Sequence, residues 1–396
     1  MKNLKKVLLF ALTLVLLLPQ IAFAESPLHF GPRTKGYMIV DYDTDSFISG
    51  NNMDEEVYIA SITKLMTYIL VKEKITTGEV NVSDIVKITP EMAAIPGSSM
   101  NLQPNMEVTV NDLLEGLIVL SGNDASYTLA LKVAGDEKSF VKMMDEKAKE
   151  IGLEKSKFLN STGLPVGDTE NSMTVRDVYK LAKYVLDTYP EILELSSMTR
   201  YVNTKYKVDK PTTIPLVGIE PGVDGLKTGT TDLAGYSVIS TFRPLKNETL
   251  KNERFLAVIM GAGSPQDRQA IVGEILDYIT KNYVNGDIID NDKVYQTIYV
   301  NSIDKGFIDI YPQSDKKAVY DKNKNFIVGQ KFQITEQGPF KAGDKVGVLN
   351  LTGNNGKVYN VDLVVREDYK KAGFFTRIKR LAKDMGLRTK TLLNIY

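Results

Sequence analysis

Apolar residues recur along this chain in two periods. From Gly36 to Tyr42 they form a short, nearly continuous run that reads as a strand, followed by turn residues at Gly50-Asn51-Asn52. Beyond Ser61 the spacing becomes helical, with Leu65, Ile69 and their apolar neighbours on one face. Helices are predicted over 108–119, 124–134, 140–151 and 174–186, with Thr174 as an N-cap. Strands return at 225–231, 236–242 and 255–260. An amphipathic helix at 266–283 follows, with Ile271, Ile275, Tyr278 and Ile279 on one side. Strands flanking a helical middle predict one α/β (α+β) domain in which helices pack on a sheet.

A change of character comes at Asn285-Gly286-Asp287. From 288 to 366 short β-patterned runs alternate with Gly, Asn, Asp and Lys, at 294–300, 306–312, 331–336, 345–352 and 358–365. They predict a small all-β domain. The last segment, 367–396, differs again. Phe374, Ile378, Leu381 and Met385 step at helical spacing, and Arg377, Lys379, Arg380 and Lys383 cover the rest. Such a helix suits an anionic membrane interface, and its charges forbid a span.

The other end has the pattern of an export signal, 1–24. Lys2, Lys5 and Lys6 precede an apolar run from Val7 to Leu18, and Ala22-Phe23-Ala24 offers a cleavage site. The run is shorter than the ~20 residues a membrane span needs. The resulting organisation is signal 1–24, main domain 25–287, all-β domain 288–366 and anchor 367–396.

Charge sharpens this picture. The chain is formally neutral, with 49 basic and 49 acidic residues. From residue 370 onward, however, eight Lys/Arg face one acid, Asp384. The body is therefore acidic, which argues against nucleic acid as a partner. The basic tail points to an anionic membrane surface.

The chemistry starts from what is missing. There is no cysteine, so thiol catalysis and Cys-rich zinc sites are excluded, and stability rests on packing. The one histidine, His29, lies just past the predicted cleavage point. A Ser-His-Asp triad needs a histidine inside the fold. A serine nucleophile here would need a lysine base, and Ser61-Ile62-Thr63-Lys64 supplies both. Residues i and i+3 share a helix face. A serine at a helix start meets the positive end of the dipole and unpaired backbone N–H groups. Burial and a second cation, for which Lys227 is available, would lower the lysine pKa.

Short as it is, S-x-x-K is common by chance. Two further motifs raise its weight. In Ser121-Gly122-Asn123, a second serine can relay a proton and an amide can hold substrate. In Lys227-Thr228-Gly229-Thr230, a cation and hydroxyl can bind a carboxylate, and a glycine admits substrate to the backbone. Alone, one is an ordinary helix–helix turn and the other an ordinary strand start. In this order they match the S-x-x-K, S-x-N, K-T-G set of penicillin-recognising serine enzymes.

The chain thereby resembles the low-molecular-mass penicillin-binding proteins, serine-type D-Ala-D-Ala carboxypeptidases. Pro96-Gly97-Ser98-Ser99-Met100, Leu120-Ser121-Gly122-Asn123-Asp124-Ala125, Phe158-Leu159-Asn160 with Gly163-Leu164, Val223 to Gly229, and Ala234-Gly235-Tyr236 also look like family sequence. The resemblance spans nearly the whole mature chain, including the β-rich second domain and the anchor. It implies a penicillin-recognising, β-lactamase-like fold. Ser61 would attack the carbonyl between the last two D-alanines of a peptidoglycan stem peptide. Lys64 would be its base, and Ser121 and Asn123 would complete the relay and clamp. Lys227 and Thr228 would bind the terminal carboxylate, with Gly229 letting substrate in. The N–H groups of Ser61 and Thr230 would form the oxyanion hole. Arg268, expected in the loop after Gly261-Ala262-Gly263, would help hold the carboxylate. β-Lactams would acylate Ser61. No cofactor or metal is implied, and the enzyme would act at the extracytoplasmic membrane face.

Two alternatives remain at this point. A class A β-lactamase deacylates with a glutamate in E-x-x-L-N. Here Leu159-Asn160 is present, but Ser156 holds the glutamate position and Gly122 replaces the usual Asp. A non-catalytic wall-binding protein could keep the fold, but it would have no need of an intact set of catalytic side chains.

Overall fold

The computed structural model describes residues 28–334 and 338–382. The expected signal, 1–24, and the end of the expected anchor lie outside them. In the main domain, β1 (Gly36–Asp41), β2 (Ser46–Asn51), β3 (Val223–Thr231), β4 (Gly235–Phe242) and β5 (Phe255–Ala262) form one antiparallel sheet in the order β2-β1-β5-β4-β3. The two chain ends of the domain meet in its middle, where Met38 pairs with Val258.

The sheet is covered on both faces, which explains its near-continuous apolar runs. Along β1, Met38 and Val40 enter one hydrophobic core while Tyr37 and Ile39 enter another. Such alternation is the period of two inherent in a strand. The larger core belongs to α1 (Lys64–Thr76), α2 (Val110–Val119), α3 (Asn123–Ala134), α4 (Glu137–Glu150) and α5 (Val175–Thr188). The smaller lies under α6 (Pro265–Asn282), which buries Ile271, Ile275 and Ile279. Tyr278, on that same side as expected, packs against this core while its hydroxyl donates to Asp321 of the second domain at 2.7 Å.

Caps confirm the helix starts. Thr109, Asp136, Thr174 and Ser264 each accept a backbone N–H three residues on. One expectation is corrected: Arg268 is not in a loop. Ser264 caps α6 and Pro265 starts it, so Arg268 sits in the first turn of that helix, its N–H on the Ser264 carbonyl.

The second domain adds β6 (Tyr283–Ile289), β7 (Gln296–Tyr299), β8 (Phe307–Pro312), β9 (Lys316–Asp321), β10 (Ile327–Ile334), β11 (Lys345–Gly353) and β12 (Val358–Val364). Five of these form a sheet in the order β7-β8-β12-β11-β10, and β6 pairs with β9. The segment 285–287, read as the change of character between the two domains, is strand. Gly286 lies against the Tyr320 ring, where an added Cβ would come within 2.8 Å of the hydroxyl. β6 thus runs straight across the expected 287/288 boundary. At the other end, Tyr369 and Ala372 are buried, and Tyr369 joins the β core. The domains also touch where Lys357 donates to the Thr44 carbonyl at 2.9 Å and Asn355 to Ser46 Oγ at 3.1 Å.

A helix over 374–382 leaves the β domain with its apolar residues outward: Phe374 is 70 % and Phe375 84 % exposed. Arg380 faces the opposite way. Its guanidinium donates to the carbonyls of Ile303 and Asp304 at 2.7 Å each. Among the described residues no helix is long and apolar enough to cross a membrane.

Candidate active site

Ser61 lies in a 3-10 turn, Ala60–Thr63, that runs directly into α1. The helix proper therefore begins at Lys64, three residues later than the sequence reading placed it. Ala60 has a left-handed φ of 46°, an unusual conformation for a residue with a Cβ. Beneath this turn passes the 160–163 loop. A Cβ on Gly163 would come within 1.9 Å of the Ala60 carbonyl oxygen, so only glycine fits there.

Lys64 is fully buried and makes three hydrogen bonds: to Ser61 Oγ at 2.8 Å, Asn123 Oδ1 at 2.7 Å and the Thr162 carbonyl at 2.7 Å. Three partners exhaust an ammonium. Burial pushes its pKa well below the usual lysine range, and the positive charge of Lys227 adds to this; Asp124 opposes it. A neutral amine has two N–H groups and one lone pair. Asn123 Oδ1 and the Thr162 carbonyl can only accept, so they take the two N–H groups and leave the lone pair facing Ser61 Oγ. The geometry thus suits proton abstraction from the serine.

Asn123 opens α3 and is held at both ends of its amide, since Nδ2 donates to the Pro96 carbonyl at 2.7 Å. Ser121 precedes it with φ at 58°, another left-handed residue. Lys227, on β3, donates to Ser121 Oγ at 2.8 Å and to the Thr228 carbonyl at 2.9 Å. It too is fully buried, and burial followed by the nearby Arg268 pushes its pKa down to about 7. Gly229 packs so tightly on the Ser61 turn that a Cβ would lie 2.6 Å from the Ile59 carbonyl oxygen. Thr230 is exposed at the strand end. Arg268 reaches its hydroxyl at 3.4 Å and the Ser237 carbonyl at 3.3 Å, while its buried Nε has no partner among the described residues. All nine residues singled out in the sequence thus lie in one contiguous cluster where β3 meets the Ser61 turn, the start of α3 and the first turn of α6.

Several supporting residues had no role in the sequence reading. Asp124 accepts from Ser99 Oγ, Met100 N and Leu102 N, fixing the 99–102 segment. Asn160 Oδ1 accepts from Thr162 N and Gly163 N, shaping the loop whose carbonyl meets Lys64. Thr213 receives the Thr228 hydroxyl at 2.9 Å. Asp124 and Asn160 stood inside the family-like segments; Thr213 carried no signal. Lysines, hydroxyls and an arginine make a site for anions rather than metal cations. Three carboxylates, Asp41, Asp43 and Glu253, do gather at the opposite end of β1, where burial lifts Asp41 to about 6.

A family model described as D-alanyl-D-alanine carboxypeptidase, peptidase S11, matches residues 24–264. The chain belongs to this family. D-alanyl-D-alanine carboxypeptidase DacF of Bacillus subtilis is 30 % identical over 403 residues, covering 97 % of this chain and 99 % of that protein. The crystal structure of penicillin binding protein 5 from Haemophilus influenzae superposes with a TM-score of 0.63 at 25 % identity, over 85 % of this chain and 98 % of that one. Penicillin-binding protein D2 from Listeria monocytogenes, in its ampicillin-bound form, gives 0.56 at 27 % identity, over 62 % and 96 %. This carboxypeptidase is accordingly a serine peptidase of the penicillin-binding type, with a penicillin-recognising main domain and a separate β-rich domain.

Proposed function

We propose that this carboxypeptidase cleaves the terminal D-alanine from peptidoglycan stem peptides through an acyl-enzyme on Ser61. The observation that carries the reading is the coordination of Lys64, whose two fixed acceptors leave its lone pair for the serine hydroxyl. Neutral Lys64 takes the Ser61 proton as Oγ attacks the penultimate carbonyl. The oxyanion is met by the N–H groups of Ser61 and Thr230. Ser121, held by Lys227, relays the proton from the Lys64 ammonium to the departing D-alanine amine, so that Lys64 is neutral again and Ser121 keeps its hydroxyl. Protonated Lys227, the Thr228 hydroxyl and Arg268 hold the terminal carboxylate. Water then hydrolyses the ester. A β-lactam presents the same carbonyl and carboxylate and is left on Ser61.

The helix over 374–382 lies on an anionic membrane surface at the extracytoplasmic face in this reading. Its exposed phenylalanines support that, as does Arg380, which turns the polar back of the helix onto the β domain. The acidic charge of the body argues against nucleic acid as a partner.

The test is covalent labelling. Ser61→Ala should abolish labelling by a fluorescent penicillin and release of D-alanine from a D-Ala-D-Ala peptide. Labelling that persists at another residue sinks the nucleophile assignment.

A further inference from the structure

Two consecutive loop residues grip opposite sides of the active-site cleft. Asn171 holds the Ser61 turn: its Nδ2 donates to Thr63 Oγ1 at 2.9 Å, and its carbonyl accepts from Ile59 N at 3.0 Å. The same side chain accepts from Leu159 N at 2.7 Å, so it is fixed in the loop. Glu170 holds the other side. It is fully buried, and its Oε2 accepts from Thr231 Oγ1 at 2.8 Å. Thr231 Oγ1 in turn accepts from Ala234 N at 2.9 Å, pinning the turn that follows Thr230.

Glu170 does this at a cost. Its Oε1 is buried without a partner among the described residues. An unsatisfied buried acceptor is destabilising. Burial raises its pKa; the Thr231 bond and the charge of Lys35 oppose that, and Asp232 reinforces it. The proposed mechanism makes no use of this carboxyl. An apolar residue would fill the space without leaving a buried acceptor unpaired if filling were the only requirement.

We propose that Glu170 and Asn171 form a two-residue bridge that sets the separation between the Ser61 and Thr230 N–H groups, with Glu170 a positioning residue for acyl transfer. The inference rests on the assignment of those two N–H groups to the oxyanion. They come from different elements, a 3-10 turn and a sheet edge. Gly229, against the Ile59 carbonyl, sets the approach of these elements at one level of the strand. The bridge sets it two residues further on, at Thr231. A donor pair must be held to within about 0.5 Å to act on a developing charge. With the Thr231 tie cut, the end of the β3–β4 hairpin loses this link to the loop, and the second donor can shift with it.

The test uses the full chain and four variants: Glu170→Ala, Glu170→Gln, Thr231→Val and the double variant Glu170→Ala/Thr231→Val. Penicillin acylation rate, kcat and KM on a D-Ala-D-Ala peptide, and melting temperature are measured for each. Glu170→Ala should slow acylation and kcat roughly 10- to 100-fold, the scale of sub-ångström misplacement, with KM changed far less. Glu170→Gln keeps the acceptor and should restore most of the rate. Thr231→Val should match Glu170→Ala, and the double variant should be no slower than either single one. A full rate in Glu170→Ala, additive losses in the double variant, or Glu170→Gln as slow as the alanine variant each overturn the proposal. The last result would make Glu170 a proton carrier instead. If Glu170→Ala does not fold, the contrast between Glu170→Gln and Thr231→Val decides. Labelling of Ser61→Ala separates the two levels. Persistent labelling removes the oxyanion assignment itself, whereas a silent Ser61→Ala beside a fast Glu170→Ala removes only the bridge.

Discussion

Lys227 donates to the Ser121 hydroxyl at 2.8 Å across 106 residues of sequence. That bond joins the sheet edge to the helical half of the domain, and it places a second buried cation beside Lys64. Burial and the charge of Lys227 lower the pKa of Lys64, and burial and Arg268 lower that of Lys227, so neither behaves as it would in water.

Removing the base should be nearly as damaging as removing the nucleophile. Lys64→Ala leaves Ser61 with no proton acceptor, and acylation should fall by roughly 10²–10⁴-fold, the usual contribution of a positioned base. Penicillin labelling followed over time checks this. A near-wild-type rate would take the role away from Lys64.

The pH profile follows from the two shifts. Lys64 acts when neutral, and burial lowers its pKa, so kcat/KM should rise with pH at a lower pH than a free lysine would allow. Lys227 acts when charged. With its pKa pushed down to about 7, kcat/KM should fall as pH climbs past that point in the free enzyme. Arg268→Gln removes a cation that holds Lys227 down. Its alkaline limb should therefore move to higher pH, alongside a higher KM. A limb that stays in place assigns it to another group.

Gly163→Ala tests the loop under the nucleophile. The new methyl would lie 1.9 Å from the Ala60 carbonyl oxygen, at a residue with φ of 83°. The Ser61 turn or the 160–163 loop must move, at a cost of roughly 3 kcal/mol or more. Melting temperature and acylation rate should both drop. A stable, fully active variant would show that the loop has slack.

Deleting 374–396 should abolish binding to vesicles containing anionic lipid and leave activity on a soluble peptide unchanged. The cut belongs after Gly373, because Tyr369 and Ala372 are buried in the β domain. Arg380→Ala should weaken vesicle binding less than a Phe374→Ser/Phe375→Ser pair, since Arg380 is occupied by the carbonyls of Ile303 and Asp304. Sedimentation with vesicles reads both outcomes.

Much of this was legible from local pattern. A period of two or 3.6 found four of the five main-sheet strands, the long helices and the five strands of the second domain's larger sheet, because burial on one or two faces imposes those periods directly; β2 was missed because its Gly50-Asn51 end reads as a turn. Three short motifs supplied every residue of the proposed machinery except Arg268, which only the family resemblance added. The strand at Tyr283–Ile289 was missed because Asn285-Gly286-Asp287 has turn chemistry. Its partner, Lys316–Asp321, lies too far along the chain to be seen from either strand alone.

What the sequence determined by itself was therefore the inventory: which elements form, and that a serine chemistry here must use lysine. Tertiary structure decided how that inventory is wired. Only packing buries Lys64 against Asn123 and the Thr162 carbonyl, and so turns an ammonium into a base with a directed lone pair. Only packing sets Glu170 on Thr231 and Asn171 on Thr63. Desolvation and hydrogen-bond direction depend on groups brought together from distant parts of the chain, and no local period or motif records them.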